Sequence, residues 1–262
     1  MIKVLSIARI VWLEMIRRKD FYVLAIILAA LLFVLLTADV FGLGSTPRYL
    51  LDSGLLMAWS ASSVLAVFLV GRQLPSEERD GTIFPLLAKP ISRGQLIMGK
   101  WLGGWLACAA ATVVFYLLVT ATAVLREWSP HWLTLLQCWT LHVCGLAVMA
   151  ALALALSTRL TYGAAATTAL VIIAGSVWML PQVPTLTMYA SGWRMDAMLL
   201  LYYVLPHFEL FDMRRRLVHD WGPVDWTILA RIAAYAALLT ALLLVVAWLS
   251  YRHKMFRRSE LL

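Results

Sequence analysis

Long runs of apolar residues, each free of Asp, Glu, Lys and Arg, alternate with polar segments along this chain of 262 residues. Six runs approach or exceed the roughly 20 residues that a helix needs to cross about 30 Å of hydrocarbon. They lie at residues 21–38, 53–71, 101–125, 132–158, 163–180 and 232–251. Because lipid offers no partner to a bare backbone N–H or C=O group, each run is expected to be helical. The pattern predicts an all-α integral membrane protein with six transmembrane helices in one domain, residues 21–251.

Three segments outside the spans have patterns of their own. Residues 1–20 gather most of their polar side chains on one arc at helical spacing, which predicts an amphipathic interfacial helix. Residues 181–225 contain the apolar piece 197–205, which is too short to cross the membrane. We therefore expect re-entrant or interfacial helices between spans five and six. Residues 252–262 form a basic tail.

Composition excludes an ordinary soluble protein, because 63% of the residues are apolar and only 14% are charged. The 22 Lys and Arg exceed the 14 Asp and Glu and give a net charge of +8, a surplus that nucleic-acid-binding proteins share. With six spans, however, 15 of the 22 basic residues fall on the side that carries both termini. The positive-inside rule therefore predicts cytoplasmic termini and a lipid bilayer, not nucleic acid, as the partner of these charges.

Residues 72–99, on the predicted cytoplasmic side, are far more numerous than a turn between two spans needs. Ser76 is expected to cap a short helix that ends at Gly81. Thr82 would then cap a second helical turn, and Pro90 would end the helix that follows it. Charged ends around an apolar centre suit a helix that lies across the membrane face and inserts into a soluble protein. A solvated linker is the alternative.

This stretch resembles the type 2 ATP-binding-cassette (ABC) permeases, in particular the branch with the multicopper-enzyme-maturation, sodium-export and gliding-motility permeases. The pattern is acidic-x-x-Gly-Thr-Ile, Leu-Leu, Lys-Pro-Ile-Ser-Arg and then Gly-Lys at the next span. Its residues are Glu78, Gly81, Thr82, Ile83, Leu86, Leu87, Lys89, Pro90, Ile91, Ser92, Arg93, Gly99 and Lys100. A second stretch before the last span adds Leu205, Pro206, Phe208, Phe211 and Asp212. With six spans in the expected order, the resemblance covers essentially the whole chain.

The resemblance implies a permease subunit that pairs with a second permease copy, as a homodimer or a heterodimer, and exports a substrate across the inner membrane of a bacterium. Residues 72–99, here named the coupling segment, would dock on a separate ATPase subunit. That subunit would bind ATP and Mg²⁺, and this chain would bind no cofactor. The expected ATPase-coupling residues are Glu77, Glu78, Arg79, Gly81, Thr82, Leu86, Leu87, Pro90, Arg93 and Lys100.

The resemblance also gives a role to residues 181–225, here named the outer segment. Its half-helices would cap the transport pathway on the far side of the membrane. The residues expected to do so are Pro206, Phe208, Phe211 and Asp212. An accessory protein on that side is a further candidate partner.

Motifs for catalysis and for metal binding are weak, so we expect neither enzyme activity nor a metal site in this chain. Residues 94–100 match the P-loop spacing, but Trp101 stands where Mg²⁺ needs a Ser or Thr hydroxyl. His142, one turn after Cys138, gives only two ligands, and a histidine bonded to a neighbouring carbonyl is the simpler interpretation. Five methionines between residues 179 and 213 suit either copper(I) or irregular packing.

Small residues four positions apart predict close helix packing, because helices in lipid approach each other through such faces. Two examples are Gly99 with Gly103 and Gly163 with Thr167. We expect some of these faces to pack within the bundle, and the first or the fifth span to meet a second permease copy.

Two hypotheses from other functional classes stay open at this level. In the first, the chain is a membrane scaffold or assembly factor that binds a partner through its outer segment and transports nothing. In the second, it is an intramembrane enzyme that acts on lipid around His142, since ionisable groups within spans are often functional.

Overall fold

The computed structural model describes residues 2–17, 20–37, 47–81, 91–129, 131–189, 191–252 and 254, and all regular structure within them is helical. The α-helices are α1 (Ile2–Arg17), α2 (Asp20–Thr37), α3 (Pro47–Gly71), α4 (Gln73–Arg79), α5 (Arg93–Val124), α6 (Trp132–Ser157), α7 (Tyr162–Met179), α8 (Val183–Thr187), α9 (Trp193–Val204), α10 (Arg214–Val218) and α11 (Trp226–Arg252). Two 3₁₀ turns lie at Leu180–Gln182 and Phe208–Phe211.

Within the described ranges, five stretches of helix are long and apolar enough to cross a membrane. They are Arg48–Arg79, Arg93–Val124, Trp132–Ser157, Tyr162–Thr187 and Trp226–Arg252. The first predicted span corresponds to α2, a helix of 18 residues that carries a shorter apolar stretch, Ala25–Val34. The prediction of an all-α integral membrane protein is confirmed.

Two helices begin before the spans that the sequence pattern predicts. α3 begins at Pro47 rather than near residue 53, and α5 begins at Arg93 rather than near residue 101. α5 starts with a capping box, in which the Gln95 amide donates to the Ser92 hydroxyl at 3.2 Å and the Ser92 amide donates to the Gln95 side-chain carbonyl at 3.1 Å. The last residues of the coupling segment, from Arg93, therefore belong to the membrane helix.

α6 lies at the centre of the bundle, where it contacts α3, α5, α7 and α11. Its second half consists largely of small side chains, and Ala150, Ala151 and Ala153 are fully buried. Small residues let helices approach closely in lipid, where no hydrophobic effect drives them together. α7 and α11 lie at the periphery and expose large apolar side chains, including Val171 and Leu238.

α1 has the amphipathic form expected of residues 1–20, and its apolar face packs along α5. Ile7, Ala8 and Val11 are buried, whereas Lys3 and Arg9 are exposed. α1 contacts the first turns of α5, and the same end of α5 contacts the C-terminal end of α11. We call this end of the bundle the terminal face.

The outer segment combines exposed and inserted elements, as predicted from its short apolar piece. α9 buries none of its residues and exposes large aromatic side chains such as Trp193 and Tyr203. The Phe208–Phe211 turn instead enters the bundle beside α6 and α7, and α10 packs on α3 and α6. The inserted backbone is thereby covered by protein, which irregular structure at membrane depth requires.

Candidate functional site

The polar part of the coupling segment forms the short helix α4, which follows α3 after a single turn residue, Arg72. The predicted cap at Ser76 is wrong, because Ser76 lies inside α4 and its amide donates to the Arg72 carbonyl at 2.9 Å. The helix starts earlier than the charges indicate because Gln73 and Leu74 bury their side chains and extend it backwards. It ends at Arg79, and Gly81 adopts φ 69°, the left-handed conformation that suits glycine at the predicted break.

Glu77 and Lys100 form a largely buried ion pair between α4 and α5. Lys100 Nζ donates to Glu77 Oε1 at 2.6 Å, and the two side chains are 4% and 27% exposed, with the lysine the more buried. Burying an ammonium group without a counter-ion costs several kcal/mol of free energy. The pair therefore explains how Lys100 fits within α5 and why α4 is held against that helix.

A second ion pair joins α4 to the residues that follow α11. Lys254 Nζ donates to the two carboxylate oxygens of Glu78 at 2.9 and 2.7 Å. The same ammonium group donates to the carbonyl of Thr158, just after α6, at 3.2 Å. One lysine thus links α4, the end of α6 and the chain beyond α11.

Arg93 fastens the first turn of α5 to the C-terminal end of α11. Its Nη1 donates to the carbonyls of Tyr251, Arg252 and Lys254 at 2.7, 2.9 and 2.9 Å. The last carbonyls of a helix lack intrahelical donors and carry the negative end of the helix dipole, so a guanidinium group is well matched to them. We call Glu77, Glu78, Arg93, Lys100 and Lys254 together the ion-pair cluster.

Arg79 and Asp80 point away from the cluster at the end of α4. Their side chains are 82% and 56% exposed, and Arg79 Nε donates to Asp80 Oδ1 at 3.3 Å. Of the other predicted ATPase-coupling residues, Thr82, Leu86, Leu87 and Pro90 lie outside the described residues. Of the predicted charges, the structure thus engages Glu77, Glu78, Arg93 and Lys100 within the chain and exposes Arg79.

The P-loop-like stretch, residues 94–101, lies entirely within α5. Its backbone amides therefore belong to a helix and do not form the open loop that cradles phosphate. Its lysine, Lys100, is engaged by Glu77.

The two small-residue pairs have different surroundings. A Cβ atom added at Gly99 would lie 2.7 Å from Ile7 Cβ, and one added at Gly103 would lie 2.7 Å from the Ala8 carbonyl oxygen, so both glycines are needed where α1 crosses α5. A Cβ atom at Gly163 would meet nothing within 4 Å. Thr167 is exposed and donates to the Gly163 carbonyl of its own helix at 3.0 Å. The first pair packs within the chain, and the second faces outward.

The predicted capping residues of the outer segment meet at the Phe208–Phe211 turn. Phe208 and Phe211 are buried, and a Cβ atom added at Gly145 of α6 would lie 3.0 Å from Phe211 Cβ. The Ser176 hydroxyl donates to the Pro206 carbonyl and accepts the Phe208 amide proton at 3.1 Å. These contacts hold the turn inside the bundle between α6 and α7.

Asp212, at the end of this turn, pairs with Arg214 across 2.9 Å. The Arg214 guanidinium also lies 4.0 Å from Asp52 of α3. The Arg214 amide donates to the Asp212 carboxylate at 3.0 Å, so the carboxylate also fixes the start of α10. Asp212 therefore holds Arg214 at the start of α10, near Asp52 of α3.

His142 lies in the interior of α6 and bonds to hydroxyl groups of two other spans rather than to a neighbouring carbonyl. Its Nε2 is 2.8 Å from Ser62 Oγ of α3, and its Nδ1 is 3.2 Å from Tyr116 Oη of α5. The Tyr116 hydroxyl is in turn 3.5 Å from Cys138 Sγ. Across the described part of the chain, no group of three or more His, Cys, Asp and Glu residues is placed to hold a metal ion. The network joins three helices through polar contacts in the interior of the bundle.

Sequence reasoning missed two features of the site. Lys254 lies in the basic tail, and nothing in the pattern distinguishes it from the other cations there. Ser92 and Gln95 do have the S-x-x-Q spacing of a capping box, a signal that places the start of α5 correctly.

Comparison with known proteins agrees with this architecture. A family model described as ABC-2 family transporter protein matches residues 5–261. The match names the family and no branch within it. None of the curated proteins compared with the chain matches it. Since the family model spans nearly the whole sequence, the chain belongs to the ABC-2 transporter family and is a membrane permease component of an ABC transporter.

Proposed function

We propose that this permease component works with a second permease copy and with separate ATPase subunits that bind ATP and Mg²⁺, and that it exports its substrate. The ATPase subunits would dock on the terminal face, which would lie in the cytoplasm of a bacterium with the permease in its inner membrane. The ion-pair cluster is the observation that carries the proposal. Family membership supports a transport role over the scaffold and enzyme hypotheses.

The ion-pair cluster connects α4 to two of the long helices, so that α4 could transmit motion to both. α4 is fastened to α5 by Glu77 and Lys100, and Glu78 joins it to Lys254, two positions after the end of α11. α5 and α11 have 32 and 27 residues, about 48 and 40 Å at a rise of 1.5 Å per residue, so both reach across a membrane. A displacement of α4 would therefore move two spans together as rigid bodies.

The contact with an ATPase subunit is proposed at the end of α4 and along the sequence that follows it. Arg79 and Asp80 are exposed charges in the described part of this stretch. Thr82, Leu86, Leu87 and Pro90 stay predicted contacts within the same stretch. Glu77, Glu78, Arg93 and Lys100 would instead transmit the motion from inside the permease.

Reversing both exposed charges, Arg79→Glu with Asp80→Lys, is expected to lower ATPase co-purification by about tenfold, because reversed charges at an interface meet like charges on the partner. Glu78 and Arg93 are unsuited to this test, since they hold the chain itself together. The measurement is the ratio of ATPase to permease in a pull-down of the tagged permease.

The control for this experiment is Arg215→Glu, a reversal of an exposed charge in the outer segment. It is expected to leave the ratio unchanged. An unchanged ratio in the double reversal would contradict docking at the end of α4.

The contact with a second permease copy is proposed along α7. Gly163 and Gly175 have nothing within 4 Å of an added Cβ atom, and Val171 between them is 71% exposed. Such a face lets two helix backbones approach closely in lipid. α2, the first predicted span, also exposes apolar side chains, including Ile26 and Phe33.

Val171→Cys is expected to give a disulfide-linked dimer under mild oxidation in native membranes, because a helix pair that meets at this face brings the two sulfurs together. Cys144→Ala is the suitable background, since Cys144 is the native cysteine that is not buried. Leu238→Cys on α11 is the matched control, with the same 71% exposure. Equal cross-linking at both positions, or none at Val171→Cys, would argue against a homodimer through α7.

A further inference from the structure

A long apolar groove lies between α5, α6 and α11, outside the features that the proposed function uses. Its volume is about 700 Å³. Its floor is made of small residues, and three tryptophans line it, two from α5 and one from α11. The small residues are Gly94, Ala147, Ala233, Ala236, Ala237 and Ala241. The tryptophans are Trp101, Trp105 and Trp248.

The indole N–H groups of Trp101 and Trp105 are hydrogen-bonded within the protein. Trp101 Nε1 donates to the Ala147 carbonyl at 3.0 Å, and Trp105 Nε1 donates to the Val143 carbonyl at 2.9 Å. The two indole rings stack with their centroids 5.3 Å apart. Thr240 also lines the groove, but its hydroxyl oxygen is buried. The surface of the groove therefore consists almost entirely of carbon atoms. A polar ligand would lose its hydration there without gaining hydrogen-bond partners.

The groove is longer than one leaflet is thick, so a chain within it would be tilted. It runs from Gly94 and Trp248 at the terminal face to Ala233 and Cys144 deeper in the bundle. The helix rises about 22 Å along α11 between Ala233 and Trp248. Half of the hydrocarbon core of a bilayer is about 15 Å thick. A single tilted acyl chain from the leaflet at the terminal face fits this length.

The groove has room for one hydrocarbon chain. Its volume of about 700 Å³ lies within the range of about 300–1,000 Å³ that is typical of ligand sites in proteins.

The mouth of the groove is basic. The Arg252 guanidinium carbon lies 5.4 Å from the centroid of the Trp248 ring, and Arg93 is bonded to the carbonyls of the same last turn of α11. Indole rings prefer the level of the lipid headgroups, and basic pockets between spans bind anionic headgroups. The charge at the mouth thus complements an anionic lipid.

We propose that this groove binds one acyl chain of an anionic phospholipid from the leaflet at the terminal face, with the phosphate beside Arg252. The bound chain covers the small residues of α11 that protein leaves open. The lipid is a bound component of the permease, separate from the transported substrate.

Native mass spectrometry of the purified full-length permease tests the site, with phosphatidylglycerol and phosphatidylcholine supplied in equal amounts. Phosphatidylglycerol is expected to be retained about fivefold better, the preference that one arginine near the surface gives. Ala237→Trp and Ala241→Trp are expected to lower its retention by about tenfold, because the indole fills the groove. Arg252→Gln is expected to abolish the preference between the two lipids.

Ala121→Trp is the matched control, an exposed alanine of α5 that does not line the groove, and it is expected to retain the lipid as the original protein does. Circular dichroism and size-exclusion profiles verify that each variant is folded. Three results would each overturn the proposal: equal retention of both lipids by the original protein, unchanged retention in Ala241→Trp, or loss of dimer in place of loss of lipid in Ala241→Trp.

Discussion

Lys100→Met is expected to lower the free energy of unfolding by about 3 kcal/mol, because it leaves the Glu77 carboxylate partly buried without its counter-ion. The lysine side chain is 4% exposed, so water does not replace the lost contact well. The measurement is equilibrium unfolding in mixed detergent micelles, followed by circular dichroism.

The double variant Glu77→Gln with Lys100→Met separates the charge from the packing. It is expected to recover most of the lost stability, since replacing both members of a buried pair leaves no uncompensated charge. Arg79→Met breaks the neighbouring surface pair, whose members are 82% and 56% exposed, and should leave stability nearly unchanged. If Lys100→Met costs no more than Arg79→Met, the pair does not hold α4 against α5.

Gly103→Leu is expected to destabilise the permease by about 3 kcal/mol and to detach α1 from α5. An added Cβ atom would already lie 2.7 Å from the Ala8 carbonyl oxygen and 2.8 Å from Ala8 Cα, and backbone atoms cannot move aside as a flexible side chain can. Unfolding in micelles gives the energy, and faster proteolysis within residues 2–17 reports the release of α1.

Gly163→Leu is the matched control, since the same change meets nothing within 4 Å of the first added carbon. In detergent-solubilised monomers we expect it to be nearly neutral. In membranes it should reduce cross-linking of Val171→Cys, because the leucine would separate the two copies. Equal destabilisation by the two leucines would mean that α1 does not depend on the small residues of α5.

The charge-free runs predicted the spans well because a lipid environment constrains composition strongly. The helix α5 itself begins at Arg93, before the span that the charge-free run predicts from residue 101. A lysine ends an apolar run in the sequence, but a lysine paired with Glu77 can lie inside the helix. The capping box of Ser92 and Gln95 marks the true start and was readable without the fold.

The sequence named four of the five residues of the ion-pair cluster but not the contacts that these residues make within the chain. Glu77, Glu78, Arg93 and Lys100 were expected at an ATPase contact, and the structure engages them within the chain. Spacing along the sequence cannot distinguish these roles, because the partners of Glu78 and Arg93 lie more than 150 residues away. The same limit applies to Gly103 and Gly163, which share a motif and differ only in what lies opposite them.

The sequence by itself determined that this protein is a helical membrane protein with an amphipathic first helix and an outer segment whose apolar piece is too short to cross. These features follow from the length and polarity of single segments. Each segment must meet the requirements of the hydrocarbon core by itself, so its own residues show whether it can cross. Only the tertiary structure decided that Lys254 reaches Glu78, that α1 covers Gly103, and that tryptophans of α5 and α11 enclose a groove. Each of these contacts depends on which faces of distant helices pack together. The free energy of that packing comes from close contacts and ion pairs between helices, which no single segment contains.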